Sequence, residues 1–325
     1  RRQRQMCIRD RILATVRMWK RIGYKPPRNV LLAFFADEEA SGTYGSRWLV
    51  KNRPELFAGY SEAVSEVGGF SVTITGRHRL YLVEAAQKGI AWIKLSAKGT
   101  AGHGSFINRD NAVTKVSDAV SRIGNYQWPQ LLTKTTSQFF KKIAELTGDK
   151  FDPKNVQPLL NHLGNAVKML GATISNTANP TMLEAGYKAN VIPQNASAVI
   201  DGRFLPGYEN DLHETIKKLA GDEIEVEILT RDIALEAEFA GPLVEAMCKA
   251  INVEDSAGIP VPYLMSGGTD NKALHDLGIV GYGFSPLRLP EDLDFFALFH
   301  GVDERVPIDG LKFGVRVLYE FLENI

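Results

Sequence analysis

The apolar run Asn29–Ala36, NVLLAFFA, limits the possible folds more than any other stretch. It is too short and too uniformly apolar for a surface helix, so it reads as a strand buried on both faces, as in a parallel sheet. Upstream, Ile12, Leu13, Val16 and Trp19 recur at helical spacing among basic residues, which predicts an amphipathic helix to about Ile22, and GYKPP ends it. Helix, turn and buried strand in succession predict an α/β chain.

After Gly68-Gly69-Phe70 the pattern changes. SVTITG, RLYLVEAA and AWIKLSAKG read as strands, 111–123 and parts of 131–170 as helices, and LEAGYKANVIPQNASAVIDGRFLPG returns to strand alternation. A helix over 209–220 and a strand over 223–229 follow. From Pro242 helix–strand alternation resumes with LVEAMCKAI, GIVGYGF and the closing amphipathic helix LKFGVRVLYEFLENI. The outer segments, 1–88 and 231–325, therefore read as one domain, and 89–230 as an inserted α+β domain.

The chain has 325 residues, enough for a sizeable core, and its 38 Lys plus Arg balance 38 Asp plus Glu. No global field exists to hold nucleic acid or an acidic membrane surface. No apolar stretch approaches the roughly 20 residues of a membrane helix. Cys7 and Cys248 have no metal-type spacing and are too few for a disulfide framework, which suits a cytoplasmic protein.

The acids Asp37, Glu38 and Glu39 follow the apolar run directly. In open α/β sheets ligands bind beyond the carboxyl ends of strands, where Glu38 and Glu39 would lie. Acids also favour the first turn of a following helix through its dipole. Adjacent carboxylates at a low-dielectric strand end repel unless a cation neutralises them, and a metal would supply one. Glu66 in SEVGGF and His300 in FALFHGVDERV are candidate further ligands, each also readable as an ordinary loop or core residue. Carboxylates with imidazole and without thiolate suit zinc, manganese or cobalt. His103, flanked by glycines in GTAGHGS, is placed to face a substrate, and SGGTD at 266–270 can present N–H and hydroxyl groups to a carbonyl or carboxylate.

Taken in order, ADEEASGTYGS, SEVGGF, SAKGTAGHGS, YKANVIPQNASAVIDGRFLPG, MSGGTD and FHGVDERV resemble the M-twenty metallopeptidase family, dinuclear zinc hydrolases that include glutamate carboxypeptidase, aminoacylase, succinyl-diaminopimelate desuccinylase and dipeptidases. The resemblance runs from about residue 12 to the end. It implies a mixed-sheet, zinc-exopeptidase-like catalytic domain with an inserted ferredoxin-like lid and dimerisation domain. It further implies that Glu38 is the general base, Glu39 and His300 ligate one metal, and Glu66 ligates the other. Two Zn2+ ions, or Co2+ or Mn2+, would activate a water for cleavage of an amide bond in a dipeptide, a C-terminal residue or an N-acyl amino acid. Asp37 is left an orienting or structural role.

By the same resemblance His103 stabilises the oxyanion in the partner subunit of a homodimer, Asn190 and Arg203 contact substrate from the lid, and Gly267, Gly268 and Thr269 line it on the catalytic side. Arg203 suits bidentate carboxylate recognition, whereas Asn190 reads equally well as a turn residue. The chain departs from the family at its start. The expected HxD motif is absent, and Arg4 stands near the position of the metal-bridging aspartate. RRQRQMCIRDR reads as sequence foreign to the family, with MCIRDR resembling translated sequencing-adapter read-through. These departures predict weakened metal binding, an exposed apolar sheet edge, and low solubility and activity. A non-catalytic binding or assembly module of the same fold is the alternative.

Overall fold

The computed structural model describes residues 2–298, 301 and 303–325; the side chains of 2–7 and of Phe296 fall outside that description. The first elements are α1 (Arg2–Ile22), a 3-10 turn (Glu38–Ala40), α2 (Ser46–Asn52), β1 (Glu62–Ser65), β2 (Phe70–Ile74) and β3 (His78–Gln87). They are followed by β4 (Gly89–Lys98), β5 (Gly102–His103), α3 (Ala112–Gly124), α4 (Lys134–Thr147), α5 (Gln157–Leu160) and α6 (Val167–Leu170). Next come β6 (Thr177–Ala185), β7 (Val191–Ile192), β8 (Asn195–Phe204), α7 (Glu209–Ala220), β9 (Glu225–Asp232) and β10 (Leu235–Glu236). The chain closes with α8 (Pro242–Glu254), β11 (Ile259–Met265), α9 (Asn271–His275), β12 (Val280–Gly283) and α10 (Ile308–Glu323).

Two compact units result. One comprises Arg1–Gln87, Leu132–Gly171 and Glu236–Ile325, and the other Lys88–Leu131 and Ala172–Leu235. The expected insertion, 89–230, includes Leu132–Gly171, which the structure groups with the first unit because α4 packs on β11 of that unit's sheet.

The first unit holds a mixed sheet. β11 runs parallel and β2 antiparallel to β3, while β1 runs parallel to β12. From Leu80 to Gln87 every residue of β3 is buried, the near-continuous apolar pattern of a strand covered on both faces. Tyr81, Val83 and Ala85 pack with Met247 and Ile251 of α8 and with Phe313, Val317 and Phe321 of α10. The spacing of those α10 residues puts them on one helical face.

The second unit orders its strands β6-β8-β4-β9, all antiparallel. With α3 after β4 and α7 after β8 this is the βαββαβ, ferredoxin-like arrangement. Alternate residues of β4 (Ala91, Ile93, Leu95) and β8 (Ala196, Ala198, Ile200) face Val116, Ala119 and Ile123 of α3 and Leu212 and Ile216 of α7. Asn111 caps α3, its side chain accepting the Val113 N–H at 2.9 Å.

One expectation is corrected. Asn29–Phe35 forms no strand, and Leu31 and Phe34 are exposed. Apolar patterning reports a preference for burial, but a strand also needs a neighbour for its N–H and C=O groups, and none of the described ladders includes this run. Arg11, at the end of the stretch read as foreign, is buried, and its guanidinium donates to the Pro286 carbonyl and the Ser285 hydroxyl at 2.5 Å each.

Candidate active site

The acidic triplet opens a tight turn. Asp37 adopts the left-handed conformation (φ 66°), which Asp tolerates better than most residues, and its carbonyl accepts the N–H groups of Gly42 (2.7 Å) and Ala40 (3.1 Å). Its carboxylate accepts the Tyr44 N–H at 3.1 Å, so Asp37 organises the loop. Glu38 is half-buried and Glu39 exposed on the 3-10 turn that follows. Gly45 closes the loop against the strand-like run, where a Cβ would stand 1.8 Å from the Ala36 carbonyl oxygen.

Glu66 directly follows β1 and is half-buried, and the SGGTD loop directly follows β11. A buried hydrogen-bonded chain links them. The Asn271 side-chain amide donates to Ser65 Oγ at 3.0 Å, the Asn271 backbone N–H donates to Thr269 Oγ1 at 3.2 Å, and Gln87 holds Thr269 at two points. Gln87 also donates to Glu84 Oε2 at 3.2 Å. Burial pushes the Glu84 carboxyl well above the usual carboxylate range; the charge of Glu66 pushes the same way, while Gln87 and Lys272 oppose it.

Lys272 is buried, and it lies so close to Gly268 that a Cβ there would stand 2.8 Å from its Cε. On the other side of the loop, Asp270 abuts the acidic turn: a Cβ on Gly42 would stand 3.4 Å from Asp270 Oδ1. Burial raises the Asp270 carboxyl, opposed by the Ser46 hydroxyl and the charge of Arg47.

The structure thus makes neighbours of the loops carrying Glu38 and Glu39 and Gly267, Gly268 and Thr269, and ties the latter to the strand end carrying Glu66. Sequence reasoning missed Glu84, Gln87, Asn271 and Lys272. The available signal was a Glu and a Gln inside an otherwise apolar strand, LYLVEAAQ.

In the second unit His103 stands opposite Val191 in the β5–β7 ladder, and the Gly104 N–H donates to the Asn190 carbonyl at 2.9 Å. These two predicted residues, distant in sequence, therefore share one exposed corner, where His103 Nδ1 lies 2.8 Å from Ser105 Oγ. Arg203 does not join them. It lies opposite Ile90 at the start of β4, whereas His103 follows the far end of β4 beyond Lys98, which puts roughly 26 Å of strand between the two ends. Its guanidinium already holds Asp201 through two parallel hydrogen bonds of 2.6 and 2.9 Å, so the fork expected to grip a substrate carboxylate has an internal partner.

His300 lies outside the described residues. Among the described residues no three His, Cys, Asp or Glu side chains gather into a group able to hold a metal ion, so Glu39 and Glu66 do not by themselves complete the set of about three protein ligands that a catalytic zinc takes. The described residues therefore supply only part of the ligand set that the resemblance implies. Cys248 is free, and burial, with a contribution from Glu245, pushes its thiol up to about 11, away from nucleophilic use at neutral pH.

The profile described as a peptidase dimerisation domain matches residues 85–226. A probable carboxypeptidase S-like protein of Dictyostelium discoideum is 27% identical over 335 residues, spanning 93% of this chain and 60% of its own length. These matches support membership of the M20, or M-twenty, peptidase family.

Other M20 relatives are the N-fatty-acyl-amino acid synthase/hydrolase of Bos taurus, 24% identical over 93% of this chain and 62% of its own, and human aminoacylase-1, 25% identical over 94% and 66%. The chain thus spans about three fifths to two thirds of the length of these relatives. Among solved structures, the dipeptidase Dug1p of Saccharomyces cerevisiae shares the fold with a TM-score of 0.63 at 13% identity, covering 94% of this chain and 67% of that one. The metallo-carboxypeptidase of Sulfolobus solfataricus does so with a TM-score of 0.61 at 16% identity, covering 89% and 68%.

Proposed function

We propose that this M20 chain serves a hydrolase that cleaves the amide bond of a small peptide or N-acyl amino acid, with Glu38 as general base. One observation carries the reading. The acidic turn of Glu38 and Glu39 abuts the SGGTD loop, and a buried hydrogen-bond chain fastens that loop to the strand end bearing Glu66. A half-buried carboxylate on a turn that meets, through Gly42, a loop rich in N–H and hydroxyl donors suits both halves of amide hydrolysis: Glu38 takes a proton from the attacking water, and the donors receive the carbonyl or carboxylate oxygens of the substrate. The names of the relatives, carboxypeptidase, aminoacylase and N-fatty-acyl-amino acid hydrolase, support a substrate that carries both an amide and a carboxylate.

Glu39, Glu66 and His300 are the proposed ligands of a divalent cation. Among the described residues Glu39 and Glu66 supply part of that set. The second unit, whose match is to a dimerisation domain, is proposed to pair two copies and to present His103 and Asn190 to substrate. A panel of dipeptides and N-acyl amino acids, incubated with the chain and followed by release of free amine with and without added zinc and chelator, tests the reading. Weak release of amine, abolished by a chelator, is the expected result. Absence of release across the panel in the presence of zinc favours the non-catalytic module.

A further inference from the structure

We infer that Gln87 is a positioning residue that makes the Thr269 hydroxyl an outward-only hydrogen-bond donor, aimed at a substrate oxygen. The inference rests on the proposed hydrolase site for the identity of that oxygen, and on the geometry alone for the rest. Gln87 is buried at the end of β3, and its Oε1 lies 3.0 Å from the Thr269 backbone nitrogen. A backbone N–H can only donate, which fixes the orientation of the Gln87 amide. Its Nε2 then faces Thr269 Oγ1 at 2.7 Å, where the hydroxyl must accept.

The Asn271 backbone N–H donates to the same oxygen at 3.2 Å. These two donors occupy both lone pairs of the hydroxyl and leave its proton as the single function still to be used. Among the described residues no group accepts that proton. The rotor is therefore locked, and the free proton can serve only an acceptor brought to the loop, such as a carboxylate or carbonyl oxygen.

The surrounding groups keep the arrangement rigid. The second Nε2 proton of Gln87 goes to Glu84 Oε2. The Asn271 side chain is fastened to Ser65 Oγ, and it fits only because residue 281 is glycine: a Cβ there would stand 2.3 Å from Asn271 Cγ. A hydroxyl with one fixed donor direction loses little entropy on binding, the ordinary benefit of preorganisation.

Gln87→Glu is the informative change. It keeps the size of the side chain and the acceptor for the Thr269 N–H, but replaces the Nε2 donor with an acceptor, so the Thr269 proton turns inward. The measurement is equilibrium binding of an N-acetyl amino acid to the Glu38→Gln chain, which requires no turnover. Gln87→Glu and Thr269→Val are each expected to weaken binding about tenfold, the scale of one lost hydrogen bond, and together no more than either alone. Thr269→Ser, which keeps the hydroxyl, is expected to bind like the parent. Parent-like binding by Gln87→Glu, multiplicative effects in the double variant, or failure of the parent chain to bind the probe overturns the inference. Normal binding with this pattern, in a chain that hydrolyses nothing, would refute the hydrolase reading and leave the role of Gln87 standing.

Discussion

The Lys88 ammonium lies 2.7 Å from the Ser175 carbonyl oxygen, and 2.9 Å from that of Ala172, with its side chain wholly buried. Burial, then the charge of Arg203, pushes its pKa down to about 7, with Asp201 opposing. In an unfolded chain lysine titrates near ~10.4. Between these values the unfolded chain binds the extra proton, so the contribution of Lys88 to stability rises with pH from about 7 to about 10; below about 7 both states are charged and the cost of the buried charge is fully present. Thermal melts from pH 6 to 9.5 check this. The wild-type midpoint should climb relative to that of Lys88→Met, and parallel curves would contradict it. Arg203→Met should move the climb to higher pH.

Asp255, just after α8, accepts hydrogen bonds on one oxygen from Arg79 Nη1 at 2.7 Å and from the Tyr81 hydroxyl at 2.8 Å. Burial pushes its carboxyl up, but these two donors and the charges of Arg79 and Arg288 hold it below the usual range. Asp255→Ala should destabilise the chain by about 2–4 kcal/mol, because a buried hydroxyl and a half-buried guanidinium lose their acceptor together. Tyr81→Phe should cost about 1 kcal/mol, since only one donor is removed and the ring still stacks on Phe313 at 5.6 Å. Denaturant titration separates these values, and equal costs would show that the carboxylate matters only to Tyr81.

Gly45→Ala should disrupt the acidic turn more than its volume suggests. The added methyl would stand 1.8 Å from the Ala36 carbonyl, well inside contact distance, so the loop from Asp37 must shift. A loss of about 2 kcal/mol or more, together with loss of amide hydrolysis, is expected. Unchanged turnover in a folded Gly45→Ala chain would show that the turn does not position Glu38.

Much of the fold was legible in the sequence because periodicity reports it. The helix over 209–220 and the strand in SVTITG follow from residue spacing, whereas the ferredoxin-like character of the second unit is what the family resemblance implies. The run Asn29–Ala36 was not, since its apolar character says nothing of whether a neighbouring strand exists to pair with it. In the candidate site, the motifs name His103 and Asn190 separately and do not say that they are neighbours. Nor do they place Arg203 away from both, because register along β8 decides which end of the sheet a residue occupies. The Glu84–Gln87–Thr269–Asn271 chain was hidden for a different reason: a buried polar residue in a strand reads as an exception until its partners, nearly 200 residues away, are known.

The central claim is that Glu38 is a base in a working amide hydrolase. It is tested most directly by the hydrolysis rate of one N-acyl amino acid with the wild-type chain and with Glu38→Gln, at matched thermal stability and matched binding of substrate. Loss of the base should lower kcat by roughly 100-fold or more and leave KM within a few-fold of wild type. Equal kcat in the two chains would contradict the account.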